Sequence, residues 1–332
     1  MISDVSANTG PSVESSGLGT DSAPEKLVWH YTKHANLELI VKSHTLWASG
    51  INGLNDREEL HIGIRRVKQA FKKMRREWDH YDSVNSDVDF DDLKEALASA
   101  AYEAFDGSAF VICFTPAGDD TPQWQKYALA DGFAIAVPEG VRFPVVGAEP
   151  PPGGRRFGYI EEFPFRWVPM LYKKKDQIAA AQEGLGRLIR ERAEGDYVAA
   201  IHADMPSLAS IFRDRAVSDY VDAVASVKHK AFRSERETRY VISRPSNPAA
   251  VHPTPPDREH VVLTGASNDP FDLDWTQHDP DYYQSLPSLL PIREIRIGPG
   301  NKFKATEAWL RALLDAHGYS AVKIRKSTSP LK

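Results

Sequence analysis

Four groups of polar side chains carry the residue types from which a site could be built: His30-Tyr31-Thr32, Asn55-Asp56 with Glu59, Trp124 with Tyr127, and Glu235 with Glu237 and Arg239. The first places an imidazole, a phenol and a hydroxyl on one short, apolar-flanked stretch, which suggests a pocket. Asp56, Glu59, Glu235 and Glu237 together could hold a hard divalent cation for a metal-dependent nuclease, although their spacing matches no named metal loop. Each residue also has a plain structural role open to it. His30 can bond to backbone, Trp124 and Tyr127 at i, i+3 can pack one helix face, and Glu237 with Arg239 can form an ion pair without catalysis. No Gly-x-x-x-x-Gly-Lys loop, Gly-x-Gly-x-x-Gly turn, His-Glu-x-x-His helix or Gly-x-Ser-x-Gly elbow occurs. A Walker ATPase, a Rossmann dehydrogenase, a zincin and a typical hydrolase are therefore not expected.

The elements that must position these groups follow from periodicity. Leu27 to Tyr31 reads as a strand, and Leu37, Ile40 and Val41 have the spacing of a short helix, with Leu46-Trp47-Ala48 as the next strand. From Asp56, Leu60, Ile64, Val67, Phe71, Met74 and Trp78 recur as one face of a long helix whose other face is basic from Arg65 to Arg76. That basic stripe could touch phosphates or be a solvated face. A second helix is expected from Asp91 to Phe105. Ala109 to Thr115 is an apolar run expected of a buried central strand, with Cys113 as a core residue. Asp120-Thr121-Pro122 opens a short helix through Trp124 and Tyr127, and Gly132 to Val137 is a strand.

Pro144 to Arg156 reads as a loop, followed by strand-like pieces at Phe157 to Ile160 and Arg166 to Tyr172. Helices are expected over Lys175 to Ala193 and Ser207 to Lys230. The segment Phe232 to Ile242 ends as an alternating strand with Glu237 and Arg239 on one side and Thr238 and Tyr240 on the other. A strand at His260 to Leu263 separates two loops. A strand from Ile292 to Ile297, a Gly298-Pro299-Gly300 turn, a helix from Thr306 to His317 and a strand from Ala321 to Ile324 complete the chain.

At 332 residues and 42% hydrophobic content the chain can bury a substantial core. Residues 1–25 are rich in Ser, Gly, Thr and Asp and read as a disordered tail, leaving 26–332 as a single α+β domain with a helical insertion at about 56–106. The single cysteine excludes an intrachain disulfide and a thiolate-rich zinc site, and no apolar run is long enough for a membrane span. A cytoplasmic location is expected, with no membrane partner. The net charge of -5 exerts no global pull toward nucleic acid.

From Leu27 to Lys332 the chain resembles a bacterial family catalogued as domain of unknown function 2971. The resemblance rests on the His-Tyr-Thr strand, on Leu54-Asn55-Asp56-Arg57-Glu58-Glu59, on Trp124 and Tyr127, and on the run from Phe232 to Arg239. The Ile297-Gly298-Pro299 turn and the segment from Ser327 to Leu331 complete it. Arg57 replaces the family's usual proline, and Cys113-Phe114-Thr115 stands where Ser-Phe-Ser is usual. The family itself implies no activity, so Asn55, Asp56, Glu59 and Ser327 are motif residues of unknown role.

The opening also resembles ADP-ribosyltransferases of the His-Tyr-Glu class, in which a strand histidine precedes a helix, a Phe-Ser or Phe-Thr strand and a tyrosine form the nicotinamide pocket, and a late strand supplies a glutamate. That resemblance implies a mixed, mostly antiparallel central sheet flanked by helices, of ADP-ribosyltransferase-like fold, and NAD as substrate, with no metal. Glu237 would stabilise the oxocarbenium-like state formed as the nicotinamide-ribose bond breaks, with Glu235 orienting the acceptor. His30 would bond a ribose hydroxyl, assisted by Thr32, and Tyr127 would stack on nicotinamide. Tyr31, Thr115, Trp124 and Arg239 complete the implied NAD-binding set. The acceptor would be a protein or nucleic acid, in a toxin or phage-defence setting. A non-catalytic nucleotide-binding or sensor module and the metal-dependent nuclease are the alternatives.

Overall fold

The computed structural model describes residues 25–51, 57–81, 109–147, 165–201, 222–245, 248–255, 258–266, 283–284 and 287–331. The tail expected over 1–25 lies outside them except for Glu25, as do the helix expected at Asp91 to Phe105, the strand at Phe157 to Ile160, and Asn55-Asp56. The fold is mixed α+β, built on two sheets that are mostly antiparallel.

Strand β1 (Leu27–Thr32) leads into helix α1 (His34–Ser43) and strand β2 (Thr45–Gly50). Helix α2 (Arg57–Tyr81) is followed by β3 (Ala109–Phe114), a helical segment over 121–128, β4 (Phe133–Pro138) and the short β5 (Val145–Val146). Then come β6 (Phe165–Pro169), helix α3 (Lys174–Ile201), β7 (Thr238–Ser243), β8 (Val251–Thr254) and β9 (Arg258–Thr264). The chain continues through β10 (Tyr283–Gln284), β11 (Glu294–Ile297), helix α4 (Phe303–Ala316) and β12 (Lys323–Lys326).

One sheet runs β1-β4-β11-β12 and the other runs β10-β5-β9-β2-β3-β7-β6, with β8 paired to β9. Strands β11 and β12 pair in parallel across α4, as do β5 and β10, whereas the other pairings are antiparallel. The main core lies between the sheets. Val28, Phe133, Ile135 and Ile295 meet Phe110, Ile112, Tyr240 and Leu263 there, with α1 and α4 adding Leu37, Val41, Leu310 and Leu314. Alternation on β3 and β7 sends Val111 and Val241 to the opposite face, where α2 and α3 cover them with Ile64, Val67, Ala181 and Leu185. On β1, Trp29 and Tyr31 turn away from Val28 and pack with Trp124, Ala128 and Leu331.

Three expectations change. Residues 222–225 are helical but the helix ends before Val227, which bridges to Leu171 and leaves Lys228 extended and buried. Glu237 precedes β7 rather than lying within it, because the left-handed Arg236 (φ 45°) bends the chain into the strand. The segment through Trp124 and Tyr127 winds as one wide π turn, a helical irregularity common at functional sites.

Gly132 shows how closely the β1–β4 connection is packed. A Cβ there would stand 2.1 Å from the Ala128 carbonyl oxygen and 2.5 Å from that of Thr32, both backbone atoms. Gly132→Ala is expected to cost about 1–3 kcal/mol. Urea denaturation would measure this, and an unchanged midpoint would contradict the packing described.

Candidate functional site

The sheets join where β3 runs out beside β1. The Trp29 and Thr115 backbones exchange N–H···O bonds of 2.8 and 3.0 Å across that seam. A cavity of about 60 Å³ opens there, bordered by His30, Cys113, Thr115, Gln123, Tyr127, Glu235 and Glu237, with Trp29, Tyr31 and Phe114 completing its wall. It is well below the roughly 300–1,000 Å³ of pockets that enclose a whole small molecule, so it suits a small group or one end of a larger ligand.

His30 Nδ1 lies 3.0 Å from the Cys113 carbonyl oxygen. A carbonyl only accepts, so Nδ1 carries the proton. Burial holds the ring pKa below its ordinary value and keeps it neutral, which leaves Nε2 as an acceptor. Thr115 Oγ1 accepts weakly from the Ala117 amide at 3.3 Å and keeps its own proton to donate. Burial, reinforced by Glu235, raises the Tyr127 phenol pKa, so it remains a neutral donor. Burial and the Glu237 carboxylate likewise raise that of the Cys113 thiol, which removes it as a nucleophile.

One wall of the cavity is a buried charge network. Arg239 donates from Nε to Glu237 Oε1 at 2.5 Å, from Nη2 to Glu59 Oε2 at 2.5 Å, and from Nη1 to the Ala225 carbonyl at 3.0 Å. Lys228 Nζ bonds Glu237 Oε2 and lies 2.7 Å from Glu235 Oε2 and 3.5 Å from Glu59 Oε1. All five residues are at least 94% buried. Burial alone would neutralise Glu237, but Arg239 and Lys228 outweigh it and hold its carboxyl at about 2. The same carboxylates keep Lys228 and Arg239 charged against burial.

The sequence-predicted residues divide accordingly. His30, Thr115, Tyr127, Glu235 and Glu237 border one cavity. Tyr31 borders it too, but its hydroxyl donates to the Ala117 carbonyl at 2.8 Å and accepts from the Asp120 amide at 2.9 Å, which commits it to holding the 117–120 loop. Trp124 is wholly buried behind that loop, with Nε1 on Asp119 at 2.8 Å, so it packs and cannot stack on a ligand. Thr32 is buried, with its backbone carbonyl against Gly132, and does not border the cavity. Arg239 is the structural cation of the network rather than a ligand contact.

Glu59 anchors the first turn of α2 to that cation, and Ser327 donates to Asp119 at 2.5 Å, clamping the C-terminal segment on the loop. Asn55 and Asp56 lie outside the described residues. Of the carboxylates grouped for a nuclease, Glu59, Glu235 and Glu237 converge on the Lys228 ammonium, and Asp56 lies outside the described residues.

Sequence reasoning missed Lys228, Gln123 and Lys126. Lys126 bonds Glu235 Oε1 at 2.5 Å, and Gln123 Nε2 donates to the Glu235 carbonyl at 3.3 Å. Nothing distinguishes Lys228 from the neighbouring exposed Lys230 except the chain path that buries it. Comparison with protein-family models, with curated proteins and with solved structures finds no match.

The depressed Glu237 carboxyl has a pH signature. With about 2 in the folded state against an ordinary 4.5, its contribution to stability is complete above about pH 4.5 and is lost as pH falls toward 2. Glu237→Gln should destabilise the protein by about 3–5 kcal/mol at pH 7, because it leaves buried cations uncompensated. The difference should shrink across that acid range. Urea unfolding at pH 7 and pH 3 measures both; an equal deficit at the two pH values would sink the ion-pair assignment.

Proposed function

We propose that this chain is an NAD-dependent ADP-ribosyltransferase-like enzyme, with the nicotinamide end of NAD at the seam cavity and a protein or nucleic-acid acceptor, in a toxin or phage-defence role. One observation carries the reading: His30, Thr115, Tyr127, Glu235 and Glu237, from segments far apart in sequence, border a single cavity. Their order along the chain is that of the His-Tyr-Glu resemblance. Neutral His30 Nε2 accepts from a ribose hydroxyl, the Thr115 hydroxyl donates to the carboxamide, and the Tyr127 ring flanks the heterocycle.

The division of work between the two glutamates follows from their surroundings. Both Glu237 oxygens are held by buried cations, so its charge is fixed in place and largely compensated. Glu235 is less committed. Its Oε1 meets Lys126, whose side chain is 47% exposed, and its Oε2 has no well-aligned hydrogen bond among the described residues although Lys228 lies 2.7 Å away. Turning Glu235 toward the ribose as Lys126 withdraws would both widen the cavity and present a carboxylate to the oxocarbenium-like state.

The compensation of Glu237 and the small cavity favour a second reading, a sensor module that binds a nucleotide without turnover.

Incubation with NAD labelled in the nicotinamide ring, with and without bacterial lysate as acceptor source, tests the first. Nicotinamide release is expected, falling about a hundredfold in Glu235→Gln. Tyr127→Ala should raise KM while the melting temperature stays within a few degrees. Absence of release from the folded wild-type chain would overturn the enzyme reading. A rise in melting temperature with NAD but no release would select the sensor.

A further inference from the structure

A second cavity, of about 550 Å³, is unrelated to the chemistry described above. It is bordered by Arg296 of β11 and by Ile324, Arg325 and Lys326 of β12, with Phe303 at the start of α4. Asp119 and Thr328 close one side. Its volume is that of pockets that enclose a small molecule. Trp29 stands between the cavities: it borders the smaller one, and the Arg296 guanidinium lies 4.6 Å above its ring.

The wall carries a small cationic excess, with Arg296, Arg325 and Lys326 set against Glu294 and Asp119. Arg296 and Arg325 share one carboxylate, Glu294, at 2.9 and 3.0 Å. Asp119, the second carboxylate at the cavity, keeps its charge but has both oxygens occupied by neutral donors: Oδ1 accepts from Trp124 Nε1 and Ser327 Oγ, and Oδ2 accepts from the Thr328 amide and hydroxyl. Among the described residues, Arg325 bonds only through Nε, leaving its two terminal nitrogens without an acceptor, and Lys326 has none.

Basic residues on an edge strand commonly serve to prevent strand pairing, which would account for Lys323, Arg325 and Lys326. It does not account for Arg296, which lies one strand in, is mostly buried, lies over an indole, and has an Nε without a hydrogen bond among the described residues. A guanidinium held by Glu294 over an indole, beside a second guanidinium and an ammonium, is suited to phosphate oxygens. Phe303 and Ile324 add an apolar wall that matches a heterocycle rather than a bare anion.

We propose that this cavity binds a nucleotide-class ligand, its phosphates on Arg296, Arg325 and Lys326 and its ring against Phe303 and Ile324. The site stands independently of the NAD reading of the seam cavity.

Calorimetric titration of the full chain with ADP, pyrophosphate and adenosine tests it. ADP should bind, pyrophosphate more weakly, and adenosine more weakly still. The double substitution Arg325→Ala with Lys326→Ala, both exposed, should leave the melting temperature unchanged and weaken ADP about tenfold or more. His30→Ala, in the other cavity, should leave ADP affinity unchanged. The proposal is overturned if ADP does not bind, if the double variant binds it as well as wild type, or if adenosine binds as tightly as ADP. It is equally overturned if His30→Ala removes binding, or if a single-stranded oligonucleotide binds far more tightly than ADP.

Discussion

The buried pairing of Lys228 and Arg239 with Glu59, Glu235 and Glu237 is the constraint around which the rest is arranged. A charge taken out of water is costly unless it is paired and hydrogen-bonded, so five such groups are tolerable only as a set. Completing the set requires the first turn of α2, the end of the 222–228 segment, the turn at Lys230–Glu235 and the start of β7 to meet at one point. Tyr172 extends the tie by accepting from the Glu237 amide at 2.9 Å, which fixes the chain just after β6. The network therefore acts as a knot between the helical layer and the central strands.

A second constraint operates at the seam. β1 belongs to one sheet and β3 to the other, and the mutual Trp29–Thr115 bonds with the His30–Cys113 contact hold them edge to edge. On the outer side, Asp119 gathers Trp124, Ser327 and Thr328, so the C-terminal segment closes over the 117–124 loop. His30 is consequently presented at the cavity with a defined tautomer, opposite the wall formed by the charge network. Position and protonation come from the same contacts.

These constraints bear differently on the two glutamates. Cations that stabilise Glu237 in the folded protein also consume the field it could offer to positive charge on a ligand, whereas Glu235 sits where the network meets the half-exposed Lys126. Glu235 is as buried as Glu237, but one of its two cationic partners, Lys126, reaches solvent. The same logic separates the second cavity from the first: one wall has its charges paired within a buried network, the other sets two guanidinium groups and an ammonium against Glu294 and Asp119.

Much of the fold is legible in local pattern. The periodicity of α2, the apolar run of β3, the alternation around Tyr240 and the helix between β11 and β12 follow from the side-chain periods of helix and strand, which the sequence carries directly. The clustering of His30, Tyr127, Glu235 and Glu237 was an expectation from order along the chain, and order specifies no distance. Lys228 was invisible because it opens the polar run His229-Lys230, which is exposed, and only the path of the chain past Leu171 drives it inside. Glu59 and Ser327 stood out as motif residues without a role until folding brought Arg239 and Asp119 to them. Trp124, Thr32 and Arg239 had the right chemistry for a ligand, yet packing turned each away from the cavity. The sequence by itself determined which segments form strands and helices and which side chains could do chemistry. Tertiary structure alone decided which of those side chains share a cavity, because burial and charge pairing depend on neighbours that are distant in sequence.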